Sequence, residues 1–112
     1  MSTQDSLVAV RGAVIESARR KILFLPHAIR QMSRPDRMIT GPDVRRVVMN
    51  GEIIGNYPED VRGHSCLLLG IDLEGRPIHV VCSPKPEYLA IITAYTPEPK
   101  EWDAAFKVRK KP

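Results

Sequence analysis

Three short apolar runs crowded into residues 65–95 constrain this chain more than any other feature. Cys66–Ile71, Ile78–Cys82 and Leu89–Thr93 are rich in Val, Ile and Leu. Between them stand Asp72-Leu73-Glu74-Gly75-Arg76 and Ser83-Pro84-Lys85-Pro86-Glu87, both built of turn formers. Runs of this length bounded by Gly and Pro read as strands. The connections are too short for a crossover helix, so neighbouring runs pair antiparallel. The expectation is a three-stranded meander, and the face it leaves open decides what the domain can do.

Turn length sets which side chains meet. A three-residue turn at Leu73–Gly75 places Cys66 and Cys82 directly opposite, whereas a two-residue turn at Glu74–Gly75 sends them to opposite faces. In a reducing compartment both are expected as free, buried thiols. The second turn leaves a similar choice. With five loop residues, 84–88, His79 faces Thr93 and Tyr95 shares that face; with four, His79 faces Ile92 and Tyr95 points away.

The segments before the meander read as helices. Asp5 or Ser6 caps a first helix over residues 5–21, with Leu7, Val10, Val14 and Ala18 as its apolar stripe and Ile15 beside it. Arg11, Glu16, Arg19 and Arg20 are expected in water. Lys21–Leu25 is too apolar for a linker and suits a short strand at the sheet edge. Pro26 opens a second helix, 26–33, which ends because Pro35 disfavours helix at Arg34. Thr40 and Asp43 form a capping box for a third helix, 40–50, with Pro42 in its first turn. Val44, Val47 and Val48 are its buried face, and Asn50-Gly51 stops it.

Strands are expected over residues 52–57, 65–72, 77–83 and 88–95. Trp102 and Phe106, four apart, suit one helical turn folded back on the domain, with Trp102 as a packing anchor. Residues 107–112 read as a mobile basic tail. With 112 residues and no internal repeat, the chain is one α+β domain. Its N-terminal helices pack on one face of a mostly antiparallel sheet of four to five strands.

No apolar run approaches the roughly 20 residues of a membrane helix. The N-terminus lacks a basic start followed by an apolar core, so a cytoplasmic protein is expected. Charge divides along the chain. Residues 1–50 carry nine Lys and Arg against four Asp and Glu, residues 51–99 three against seven, and residues 100–112 five against two. A basic helical half suits an anionic partner, RNA or an acidic protein. Neither the two cysteines nor the spacing of His27, His64 and His79 gives a metal pattern. No cofactor is expected.

The assembled motifs resemble a family of small bacterial domains of unknown function, grouped by fold with RelE- and BrnT-like toxins of toxin–antitoxin modules. The resemblance rests on His27-Ala28…Met32, Arg37-x-Ile39-Thr40-x-x-Asp43-Val44 and Asn50-Gly51-Glu52-Ile53-Ile54-x-x-Tyr57-Pro58-x-Asp60. It continues through Ser65-Cys66-Leu67-x-Leu69-Gly70, Gly75-Arg76-Pro77-Ile78-His79-Val80-Val81 and Ile92-Thr93-x-Tyr95-x-Pro97, then Trp102 and Arg109. Gln31 stands where the family usually has arginine, and Ser33–Arg37 runs about two residues longer than usual.

The resemblance implies a RelE-like fold, an antitoxin protein and RNA or the ribosome as partners, and metal-free RNA cleavage. That reaction needs a proton acceptor, a proton donor and cations over the developing phosphorane charge. His27, Arg37, His79 and Tyr95 are the expected catalytic set. Arg30, Arg76, Lys107, Arg109, Lys110 and Lys111 are the expected RNA-binding set. The other reading of the same residues is a partner-binding domain that keeps the fold without the chemistry.

Overall fold

A computed structural model describes residues 3–110. In chain order the elements are α1 (Thr3–Arg20), β1 (Ile22–Phe24), α2 (Pro26–Met32), α3 (Gly41–Asn50), β2 (Glu52–Tyr57), β3 (Ser65–Ile71), β4 (Pro77–Pro84) and β5 (Leu89–Tyr95). The class is α+β, with three helices against one five-stranded sheet of order β1-β5-β4-β3-β2. Three of its pairings are antiparallel, and the short edge strand β1 runs parallel to β5. The apolar Lys21–Leu25 segment thus lies at the sheet edge, as its composition suggests.

The core forms where the helices meet one sheet face. Val10, Val14 and Ala18 of α1 and Val44, Val47 and Val48 of α3 pack on Cys66, Leu68, Ile78, Val80, Cys82, Leu89, Ile91 and Ala94. Their alternation gives the period of two that a face-packed sheet requires, broken only between Ile91 and Ala94 of β5. α3 is fixed as its residues predict: the Thr40 hydroxyl accepts from the Asp43 N–H at 3.1 Å, and the Thr40 N–H donates to the Asp43 carboxylate at 2.9 Å. Gly51 follows because there is no room for a side chain. A Cβ there would lie 2.6 Å from the carbonyl oxygens of both Val47 and Leu69.

Four local expectations are corrected. Arg11 does not stay in water; it reaches across to α3 and donates to the Val48 and Met49 carbonyls at 2.6 and 2.9 Å. A helix end leaves such carbonyls unpaired, and a guanidinium there also meets the negative end of the dipole. Trp102 and Phe106 do not share a helical turn. Trp102 instead pairs with Arg109 in an isolated antiparallel bridge, and Phe106 has φ of 60°. The expected tail folds back at least to Lys110, whose N–H donates to the Glu101 carbonyl at 2.8 Å. Lys111 and Pro112 lie outside the described residues.

The fourth concerns register. Neither anticipated β4–β5 register occurs: His79 stands directly opposite Tyr95, and the pairing shifts by one between Val81 and Cys82. The shift leaves Ile92 as the extra residue of a β-bulge, which turns the end of β5 relative to its start. In the other turn, Cys66 faces Cys82, the outcome of the three-residue alternative. The two cysteines are free, with their sulfurs 3.8 Å apart. The bond to Cys66 and burial in the core push the Cys82 thiol up, so it stays protonated.

Candidate functional site

On the sheet face turned away from α1 and α3, β4 and β5 place His79 and Tyr95 side by side. His79 has 0% exposure although it lies on the non-helical face. The cover comes from residues 98–110, a C-terminal strap that crosses this face. Trp102 meets the His79 ring edge-on with centroids 4.4 Å apart, and Tyr95 approaches it at 5.3 Å.

Both ring nitrogens are engaged. Nε2 lies 2.8 Å from the Phe106 carbonyl oxygen, and Nδ1 lies 3.2 Å from the Tyr95 hydroxyl. A carbonyl can only accept, so Nε2 carries the hydrogen. In the neutral ring Nδ1 is then the acceptor, and the Tyr95 hydroxyl donates to it. Burial lowers the His79 pKa first of all, and the nearby Arg109 charge lowers it further, against the Phe106 carbonyl. Burial raises that of Tyr95. At neutral pH the pair is therefore an uncharged phenol donating to an uncharged imidazole.

The depressed histidine makes a testable demand. Unfolded His79 gains its proton near the ordinary value of about 6.5, while folded His79 resists it to lower pH. Stability present above that value is lost as pH falls below it, because the unfolded chain binds the proton first. The melting temperature should fall from about pH 6.5 downward, and His79→Gln should flatten that part of the curve. An unchanged slope in His79→Gln would place the acid sensitivity elsewhere.

Two guanidinium groups come to the pair. Arg37, in the loop between α2 and α3, lies 5.9 Å from the Tyr95 ring centroid. It is steadied by the Gln31 side chain, while its own carbonyl accepts from Arg76. Arg109 lies 5.0 Å over the Trp102 ring. Tyr95 remains half-buried, so it is the member of the pair that meets solvent. The arrangement is an uncharged hydrogen-bonded pair with Arg37 beside Tyr95 and Arg109 over Trp102.

The other expected site residues are distributed differently. His27 is exposed in the first turn of α2 and makes neither a hydrogen bond nor a ring contact with His79 or Tyr95. Arg30 is exposed on the same helix. Arg76 is engaged with Asp72 at 2.9 Å and Asp43 at 3.7 Å, which ties the β3–β4 turn to the start of α3. Lys107 pairs with Glu52 at 2.9 Å in an exposed contact that contributes little. Lys110 is exposed, and Lys111 lies outside the described residues. Among the described residues, no three His, Cys, Asp or Glu side chains are grouped so as to hold a metal ion. Likewise, no described helix is long and apolar enough to cross a membrane.

Sequence reasoning missed the Phe106 carbonyl and Asp103. The first is a backbone group and carries no residue signature. The second shows only as an Asp beside Trp102, yet its carboxylate accepts the Lys107 and Val108 N–H groups at 3.0 and 3.4 Å and shapes the strap.

The fold and site define a small α+β domain in which the sheet face away from α1 and α3 carries a buried His79 bonded to a half-buried Tyr95 under a C-terminal strap. A family model described as "Domain of unknown function (DUF4258)" matches residues 24–96, and the chain belongs to that family. The matched span holds His27, Arg37, His79 and Tyr95, whereas α1 and the strap lie outside it. No curated protein and no solved structure matches the chain.

Proposed function

We propose that this domain is a metal-independent endoribonuclease of the toxin type, acting through Tyr95. The observation that carries the reading is the hydrogen bond from the Tyr95 hydroxyl to Nδ1 of His79, with Arg37 beside the Tyr95 ring. A phenol that can hand its own proton to a buried imidazole can take one from a substrate at the same moment.

In the proposed reaction Arg37 and Arg109 hold the non-bridging oxygens of an RNA phosphate. The ribose 2′-oxygen attacks phosphorus, its proton passes to the Tyr95 oxygen, and the Tyr95 proton passes to His79 Nδ1. The bond to the 5′-oxygen breaks, and that oxygen takes a proton from water. The products are a 2′,3′-cyclic phosphate and a free 5′-hydroxyl. Buried His79 holds its extra proton weakly and returns it through Tyr95 to water. His79 is a positioning and proton-storing residue here; Tyr95 and the arginines touch substrate. An antitoxin for such an enzyme would cover the Tyr95 end of the sheet.

A second reading is favoured by one observation: His79 has no open edge. It is a non-catalytic RNA- or protein-binding domain with the same fold. Filter retention of labelled RNA separates the readings from a purely structural role. At low ionic strength RNA should be retained, and retention should fall steeply with added salt as counterions are released. Arg37→Ala and Arg109→Ala should each weaken it about tenfold, the loss of one charge-assisted contact. No retention at low salt would remove both RNA readings.

A further inference from the structure

We propose that residues 98–110 form a positioning strap, in which the Phe106 carbonyl holds His79 in its Nε2–H tautomer and Trp102 seats Arg109 beside Tyr95. The proposal rests on the nuclease reading only for the ligand of Arg109, a phosphodiester; the tautomer claim stands without it.

The strap is built around a short reversal. Asp103 N–H donates to the Val108 carbonyl at 2.9 Å, and Phe106 N–H donates to the Asp103 carbonyl at 2.9 Å. The Asp103 carboxylate gathers further backbone donors. The Lys107 N–H, the strongest of several, holds that carboxyl below its ordinary value, so it is ionised and accepting at neutral pH. The Trp102–Arg109 bridge closes the reversal, and Trp102 itself is only 6% exposed.

Phe106 is the telling position. Its φ of 60° lies in the left-handed region, which a bulky residue enters only when its surroundings impose it. A simple surface turn would place glycine there. In this conformation the Phe106 carbonyl meets His79 Nε2 at 2.8 Å. An acceptor at Nε2 excludes the other neutral tautomer, and that exclusion leaves Nδ1 free to receive the Tyr95 proton. Trp102 has a matching double contact. One side of it meets His79, and Arg109 lies over its ring, so the same residue that closes over the imidazole also fixes the cation.

The tautomer is read by two-bond nitrogen–proton correlation on the full chain, and strap position by the emission of Trp102, the one tryptophan in the sequence. The native protein should show a protonated Nε2 and an unprotonated Nδ1 on His79. Asp103→Ala removes the carboxylate without touching His79. It should shift Trp102 emission to the red, average the His79 tautomers and weaken RNA retention about tenfold. Asp103→Asn keeps an acceptor oxygen and should restore most of the native pattern. Trp102→Leu is the second variant and should average the tautomers as well.

A native His79 protonated at Nδ1 would overturn the proposal. So would an unaltered His79 pattern in both Asp103→Ala and Trp102→Leu, whatever their melting temperature. Absent RNA retention beside the expected tautomer changes would reject the nuclease reading and leave the positioning role intact.

Discussion

Val47→Asp should lower the melting temperature by more than about 10 °C, the largest stability loss expected of any single change in α3. Val47 is 0% exposed and packs against Gly70 of β3, where even a Cβ would come within 2.9 Å of its side chain. A carboxylate placed there finds no partner and no water. Burying an unpaired charge in a core contact of this kind costs roughly 3–5 kcal/mol. For a domain of this size each kcal/mol moves the midpoint by several degrees. Arg46→Asp, one residue earlier on the exposed side of the helix, is the control and should stay within about 0.5 kcal/mol of the native protein. A Val47→Asp midpoint within a degree or two of the native value would mean that α3 does not cover the sheet as described.

The second large effect is on activity rather than stability. Tyr95→Phe removes one hydroxyl from a half-exposed ring and leaves the T-shaped contact with His79 in place. Its cost in stability should be about 1 kcal/mol, since it also leaves Nδ1 of His79 without its donor. Its cost in RNA cleavage should be about 100-fold or more, the usual contribution of a positioned acid–base group. Growth arrest on expression should disappear while the melting temperature falls by no more than several degrees. His79→Ala should lose both, because it opens a cavity beneath Trp102 and leaves the Phe106 carbonyl unpaired. Cleavage or arrest that survives Tyr95→Phe would end the role assigned to Tyr95.

What could be read in the sequence is what is decided locally. The three apolar runs, the Thr40–Asp43 capping box and the valines of α3 each carry their signal within a few residues, and each stands where that signal points. The Lys21–Leu25 segment was legible as an edge strand from composition alone, although its parallel pairing to β5 depends on residues nearly 70 positions away. Long-range geometry was not legible. Nothing in Leu89–Tyr95 marks Ile92 as a bulge, yet that extra residue is why His79 meets Tyr95 directly. Arg11 looked like one more surface arginine because its carbonyl partners lie 37 and 38 residues further on.

The candidate site divides the same way. His79, Tyr95 and Arg37 could be chosen by chemical type, and the fold brings these three together. His27 could be chosen on the same grounds but does not join them. The strap was misread because two aromatic residues four apart fit a helical turn as well as they fit the observed reversal. Only the left-handed Phe106 and the Asp103 carboxylate distinguish the two, and neither leaves a pattern that a single sequence reveals.

The most direct measurement is incubation of the purified domain with end-labelled RNA in excess chelator, with the termini of any fragments identified. The account predicts fragments bearing 2′,3′-cyclic phosphates and free 5′-hydroxyls, formed without metal and lost in Tyr95→Phe. RNA that is bound yet stays intact, or fragments that are equally abundant with Tyr95→Phe, would contradict it.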